Sequence, residues 1–331
     1  MTDVVELELQ EAEALCLRAA RGAGANPASA RALVDATLSA ARFGAEVVGF
    51  PHMVAYLESF RDGRINRNPV PVLTCPFPAY IASDADYGIA QLGFELAFQE
   101  LVAKARSYGV AIFSQKNSYT TGELGYYVRR LADEGLVALA ATNANAMVTT
   151  MPGNPAVYGT NPIAFGFPLG VDTPPLVIDQ SSSATAYVNI AAAAAEGRQI
   201  PLGWAVDARG CETQDASEAL AGALLPAGGR KGANLALMVE MLSAGLSGGA
   251  WSVDAPGFQA GNESPSVGLT ILAMMAGPMD ADHIKRAHDQ IQTLKCHGVY
   301  IPGQGRNVAS GLLRMQRVIH DTICSFAGLT P

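Results

Sequence analysis

Charge is scarce in this 331-residue chain. Asp, Glu, Lys and Arg make up 16% of it, and 30 acidic against 22 basic residues leave a formal net charge of −8. The basic residues are scattered, with pairs such as Arg129-Arg130 and Lys285-Arg286 as the densest groupings. No basic stripe with interleaved aromatics is present, so nucleic acid is not an expected partner, although one local cation suffices for a small anion. Cysteine is also sparse. The five, at 16, 75, 211, 296 and 324, show no CxxC spacing, and reduced thiols in a cytoplasmic protein are expected. Long apolar runs are missing, and Met1-Thr2-Asp3-Val4-Val5-Glu6 is acidic with no apolar core. Neither a membrane span nor a signal peptide is expected.

Common catalytic signatures are missing as well. No G-x-G-x-x-G follows a strand and opens a helix, which removes the usual dinucleotide fingerprint. In Pro226-Ala227-Gly228-Gly229-Arg230-Lys231-Gly232, Arg230 separates the glycines from Lys231 and breaks the phosphate-loop spacing. No His-Glu-x-x-His occurs among His52, His283, His288, His297 and His320, so no metal site is expected. His283 and His288 point to different faces of a polar helix, as solvated histidines do, and His297 reads as a helix cap. Without a G-x-S-x-G, Ser181-Ser182-Ser183 reads as a turn that binds phosphate, ribose or backbone, not as a nucleophile.

Apolar residues are plentiful, at 49%, enough for a sizeable core. Apolar positions three and four apart predict helices over Glu6–Arg21, Ala28–Arg42 (opened by Asn26-Pro27) and Pro51–Arg61. A proline-rich run from Asn68 to Pro78 reads as a boundary. Beyond it, strands at 110–113, 137–140, 176–178 and 269–275 alternate with helices over Ile89–Tyr108, Gly125–Glu134 and Lys231–Leu246. The tail returns to helix over Ala281–Cys296 and Val308–Phe326. This pattern predicts an α/β unit over 76–275. Residues 1–75 plus 276–331 are expected to form a helical unit from both termini.

Chemistry-bearing residues fall in turns at strand ends. These are Asn117 through Tyr127 with Gly122 and Gly125; Gly159-Thr160-Asn161-Pro162; Asp179-Gln180-Ser181-Ser182-Ser183; and Gly228-Gly229-Arg230-Lys231-Gly232, which opens a helix whose N-terminal amides favour an anion. Each alone is explained by loop structure, and the inference rests on their order and spacing.

Together with Ile200-Pro201-Leu202-Gly203-Trp204-Ala205, these segments resemble the malate/L-lactate dehydrogenase-like 2-oxoacid reductase family. That family includes ureidoglycolate, sulfolactate and Δ1-piperideine-2-carboxylate oxidoreductases. Matching pieces run from Gly44 to about Pro302. The resemblance implies a fold unlike the Rossmann type, with a mixed or mostly antiparallel sheet beside a helical domain. It implies a homodimer with a shared active site, and NADH or NADPH bound through Gly122, Thr160, Asn161, Pro162, Asp179, Ser181, Ser183 and Lys231.

The family pattern also implies a proton-handling site from which this chain departs. Glu46-Val47-Val48-Gly49 stands where Asp-Ser-His-Gly is expected, His52 where an arginine binds the substrate carboxylate, and Thr120 where a histidine protonates the carbonyl oxygen. Asn189 stands where a lysine is common. Valine can neither donate a proton nor form a hydrogen bond, and threonine is far too weak an acid. His52 is a weaker cation than arginine and lacks its two-pronged grip. Two readings follow. The chain reduces a small substrate that needs little acid help, such as an imine or a modified 2-oxoacid, with His52, Thr120, Tyr119 and Asp179 (or Glu46 and Glu123) orienting it. Alternatively, the scaffold has lost redox chemistry and serves as a binding protein or in non-redox chemistry.

Overall fold

The computed structural model describes residues 3–44, 46–170, 172–259, 261–277, 282–303 and 311–330. Its helices are α1 (Leu9–Gly22), α2 (Pro27–Phe43), α3 (Phe50–Asp62), α4 (Ala90–Tyr108), α5 (Leu124–Asp133), α6 (Tyr187–Ala195), α7 (Ala216–Leu220), α8 (Arg230–Glu240), α9 (His283–Cys296) and α10 (Arg317–Phe326). Its strands are β1 (Val4–Glu8), β2 (Val72–Thr74), β3 (Tyr80–Asp84), β4 (Val110–Ser118), β5 (Leu136–Thr142), β6 (Val148–Thr149), β7 (Ala156–Tyr158), β8 (Ile163–Phe167), β9 (Leu176–Gln180), β10 (Ala205–Val206), β11 (Ala223–Leu224), β12 (Val267–Met275) and β13 (Leu312–Gln316).

Local chemistry sets several of these boundaries. Asn26 accepts the Ser29 amide at 2.8 Å and Pro27 sits in the first turn of α2, a cap worth about 1 kcal/mol. Glu8 and Glu11 form a reciprocal capping box on α1. Two expected helices are shorter than predicted. Val4–Glu8 is a strand paired antiparallel with Leu312–Gln316, from Val4↔Gln316 to Glu8↔Leu312. Residues 304–310 lie outside the described part, and the helix expected over Val308–Phe326 begins only at Arg317. Leu313 and Met315 are buried while Arg314 and Gln316 are exposed, a period of two that overrides helical propensity once a partner strand is available.

The central sheet has the order β2-β3-β4-β12-β5-β8-β9 and is mixed. Among the described residues its one parallel pair is β3–β4. Phe94, Phe98 and Leu101 of α4 and Tyr127 and Leu131 of α5 share a core with Phe113, Ile271 and Ala140 of the sheet. The register places Val267 opposite Ser118, Leu269 opposite Thr142, Ile163 opposite Ala141, and Gln180 opposite Ile163. The segments after β4, β5 and β9 and those before β8 and β12 therefore leave the sheet at one end.

A second core gathers α1, α2 and α3 with Leu313 and Met315 of β13, Ile323 of α10 and Ala327 just after it. α9, grouped with these helices on sequence, packs elsewhere: Ile291 and Leu294 cover Phe167, Leu169 and Leu176 at the β8–β9 edge. A small sheet of order β10-β11-β6-β7 joins α6 and α7 around Val148, Ile190, Ile200 and Leu224. The helix expected over Lys231–Leu246 is α8 continued by a π turn at Met241–Gly245. Among the described residues, no helix is long and apolar enough to cross a membrane.

Candidate active site

Two side-chain groups form at this end of the sheet. The first joins α3 to the β4–α5 connection. Gln91 Nε2 donates to Tyr56 Oη and to the Thr121 carbonyl, each at 3.0 Å. Tyr56 Oη donates to the Thr120 carbonyl at 3.0 Å, and Thr120 Oγ1 donates to Tyr56 Oη at 2.7 Å. A phenol has one proton, and here the Thr120 carbonyl takes it. The hydroxyl proton of Thr120 is thereby directed at Tyr56, and the half-buried Oγ1 offers any ligand a lone pair instead of a proton.

Tyr119 and His52 flank this network. Tyr119 is fully buried, donates to the Phe258 carbonyl at 2.8 Å and shares a 2.7 Å bond with Ser59 Oγ. Burial holds its phenol above the usual range, and it ties α3 to the loop after α8. The ring of His52 lies edge-on to Tyr56 at 5.1 Å and tilted against Phe258 at 6.1 Å. Desolvation pulls its pKa down to about 4. The weak cation expected there is consequently a neutral imidazole at pH 7. The side chain of Glu46 lies outside the described part.

At the start of α5, Glu123 and Arg129 form an ion pair at 3.0 Å, with side chains only 4% and 6% exposed. Ser39 Oγ accepts from Arg129 at 2.7 Å, and the guanidinium lies 4.8 Å over the Phe43 ring. Glu123, considered on sequence as a substrate-orienting acid, is committed to this pair. Asp179 Oδ2 accepts the Gly125 amide at 2.8 Å. Desolvation pushes its pKa up to about 6 against the effect of the Gly125 amide, while Glu123 pushes it further up. Asp179 also keeps an exposed face, so its carboxyl occupies a recess within the protein mass that water still reaches.

The second group consists of three turns tied together by main-chain bonds. Ser182 donates to the Thr160 carbonyl through both its amide and its hydroxyl, each at 2.8 Å. The Ala227 amide donates to the Ser182 carbonyl at 2.9 Å, and the Ala184 amide to Leu225 at 2.8 Å. Gly159 fits because a Cβ there would lie 2.5 Å from the Ala144 carbonyl oxygen. Ser181 and Ser183 hydroxyls meet at 3.0 Å, and Ser183 also donates to the Thr185 carbonyl. Pro162 leads into β8 and is half-buried. Gly122, at φ +67°, borders the first group, where a Cβ would sit 3.0 Å from Gln91 Nε2.

Arg230 and Lys231 are exposed at the N-terminus of α8, behind Gly228 and Gly229, both at φ +63°. Neither cation has an acidic partner among the described residues, so both remain open to an anion. Asn161, expected to offer its amide to a ligand, is fully buried and donates inward to Ala236 and Glu240. It shapes its turn from behind.

The family model for malate/L-lactate dehydrogenase matches residues 7–310. The chain belongs to this family. Among curated relatives, the Δ1-pyrroline-2-carboxylate/Δ1-piperideine-2-carboxylate reductase of Pseudomonas aeruginosa is 33% identical over 308 residues, covering 92% of each chain. The NADP+-dependent (2R)-3-sulfolactate dehydrogenase of Chromohalobacter salexigens is 35% identical over 303 residues, covering 91% of this chain and 90% of that one. Among solved structures, Δ1-piperideine-2-carboxylate reductase from Pseudomonas syringae pv. tomato superposes with a TM-score of 0.89. It is 31% identical, covering 98% of this chain and 99% of the other.

Malate/L-lactate dehydrogenase family members are oxidoreductases that work with NADH or NADPH, and the second group suits such a dinucleotide. Two unpaired cations stand exposed at a helix N-terminus, and the nearby serine turn carries two hydroxyls. Asn145 adds a buried amide oxygen without a partner, one residue from the Ala144–Gly159 approach. Sequence reasoning passed over Asn145, Gln91 and Glu240. Glu240 had left a signal, a lone acid within the apolar run Leu237-Met238-Val239-Glu240-Met241-Leu242.

Proposed function

We propose that this protein is an NAD(P)H-dependent reductase of a small cyclic imine bearing a carboxylate. The observation that carries this reading is the polarity of Thr120. Its proton points to Tyr56, so Oγ1 accepts a hydrogen bond, which fits the N–H of a protonated imine and not the oxygen of a ketone. A ketone needs a proton at its developing alkoxide. A protonated imine already carries that proton. A bound nicotinamide cofactor would supply the hydride that converts it to an amine, the C=N π pair becoming the nitrogen lone pair. The chain has only to orient the ring, exclude water and stabilise the cation. The relatives named for cyclic imino acids support this substrate class.

The opposite reading, a scaffold without redox activity, draws on His52. As a neutral imidazole it cannot replace a carboxylate-binding arginine by charge. The two readings separate on titration with NADH and NADPH by fluorescence, followed by turnover with Δ1-piperideine-2-carboxylate, pyruvate and oxaloacetate. Cofactor binding with imine turnover above ketone turnover is expected, and Thr120→Val should lower imine turnover about tenfold by removing the acceptor. Absence of nicotinamide binding, or ketone turnover equal to imine turnover, would overturn the proposal.

Assembly as a homodimer with a shared site and a cytoplasmic location belong to the same proposal. Exposed Leu237, Met238, Met241, Leu246, Trp251 and Val253 supply apolar surface that a second copy would cover. The division into a terminal helical unit and a non-Rossmann cofactor unit is also proposed, supported by the separate cores described above, with α9 of the terminal segment packing on the cofactor unit's sheet edge.

A further inference from the structure

Glu240, the last residue of α8, is only 4% exposed and has no ion-pair partner among the described residues. Three donors converge on it instead. The Ser252 amide reaches Oε1 at 2.7 Å, while Ser252 Oγ at 2.6 Å and Asn161 Nδ2 at 2.7 Å reach Oε2. The same Asn161 nitrogen donates to the Ala236 carbonyl at 3.0 Å, so flipping the amide would set oxygen against oxygen. Asn161 itself adopts φ +38°, the bend that turns Gly159–Pro162 toward β8. The glutamate thus fastens this turn to the end of α8, nine residues and roughly 13 Å along the axis from Lys231. Because α8 is rigid over that length, the fastening sets where Lys231 stands relative to the Thr160 and Ser181–Ser183 turns.

We propose that Glu240 is a positioning residue that, through Asn161 and Ser252, holds the cofactor turns in register with the α8 N-terminus and thereby sets affinity for NADH or NADPH. This rests on the reductase reading above. Glu240→Gln tests it, because the glutamine NH2 must face either the Ser252 amide or Asn161 Nδ2, both donors. The expected result is a folded variant whose cofactor Kd, measured by fluorescence titration, rises about tenfold. Its kcat and substrate KM at saturating cofactor should stay near the wild-type values. In the protein without cofactor, amide exchange should quicken at Ser252 and Ser182 but not in α4 or β12. Ser252→Ala, which removes one donor and keeps the amide, should show a smaller rise and decides the matter if Glu240→Gln does not fold. A folded Glu240→Gln with wild-type cofactor Kd overturns the proposal, as does a fall in kcat at unchanged Kd or faster exchange throughout the chain. Failure of the wild-type chain to bind either nicotinamide overturns the reductase reading and this assignment with it. Wild-type binding with an indifferent variant overturns the assignment alone.

Discussion

The two groups at the sheet end are built differently. Around Thr120, position depends on side chains: Tyr56 bonds Gln91, Tyr119 bonds Ser59, and together they reach three carbonyls. Around Thr160, position depends mainly on the backbone, through Ser182, Ala227 and Ala184 amides. A side-chain network changes chemistry with one substitution, whereas a backbone network tolerates most side chains and forbids only those that do not fit. A scaffold built this way can hold the Thr160 turns in place while the side chains around Thr120 vary.

Arg129 pairs with Glu123 at the start of α5, where the Gly125 amide holds Asp179. Arg129→Met should have the largest effect, because it strands the buried Glu123 carboxylate at a cost of about 3–5 kcal/mol. Chemical denaturation checks this, and a loss below 1 kcal/mol would mean that water already reaches the pair. Gly159→Ala is next. Its Cβ would meet the Ala144 backbone at 2.5 Å, which costs about 1–3 kcal/mol and loosens the second group. If the backbone network is as intolerant of misfit as the geometry indicates, cofactor binding should weaken in this variant while the Tyr56–Thr120 network stays intact.

The smallest effects are pH slopes of opposite sign. His52 has a folded pKa of about 4, below its ordinary 6.5, so the unfolded chain binds more protons between these values and stability falls as pH drops through that window. Asp179 has a folded pKa of about 6, above its ordinary 3.8. The folded chain then holds the extra proton, and stability falls as pH rises from about 4 to 6. Thermal melts across pH 4–6.5 should show His52→Phe losing the first slope and Asp179→Asn losing the second. Identical profiles for both variants would remove the desolvation assigned to the two groups.

Much of the fold was legible in the sequence. Periodicity located α2, α3, α4, α5 and α9 to within a few residues, and the apolar strands at 110, 137, 176 and 269 all lie in the central sheet. β1 and β13 were not legible. Each is five residues long, and their alternation means little until the two ends of the chain meet. The packing of α9 on the β8–β9 edge was hidden for a similar reason, since an apolar stripe does not name the surface it will cover.

At the candidate site, residue types alone put a threonine at 120, valines at 47 and 48, and glycine- and hydroxyl-rich turns at the strand ends. Those facts depend only on which side chains are present. Three-dimensional packing decided the rest: that His52 is neutral, that Asn161 faces inward, that Glu123 is occupied by Arg129, and that Thr120 presents a lone pair. Each depends on which groups from distant parts of the chain lie within hydrogen-bonding reach and how much water they displace, and neither quantity is encoded at any single position.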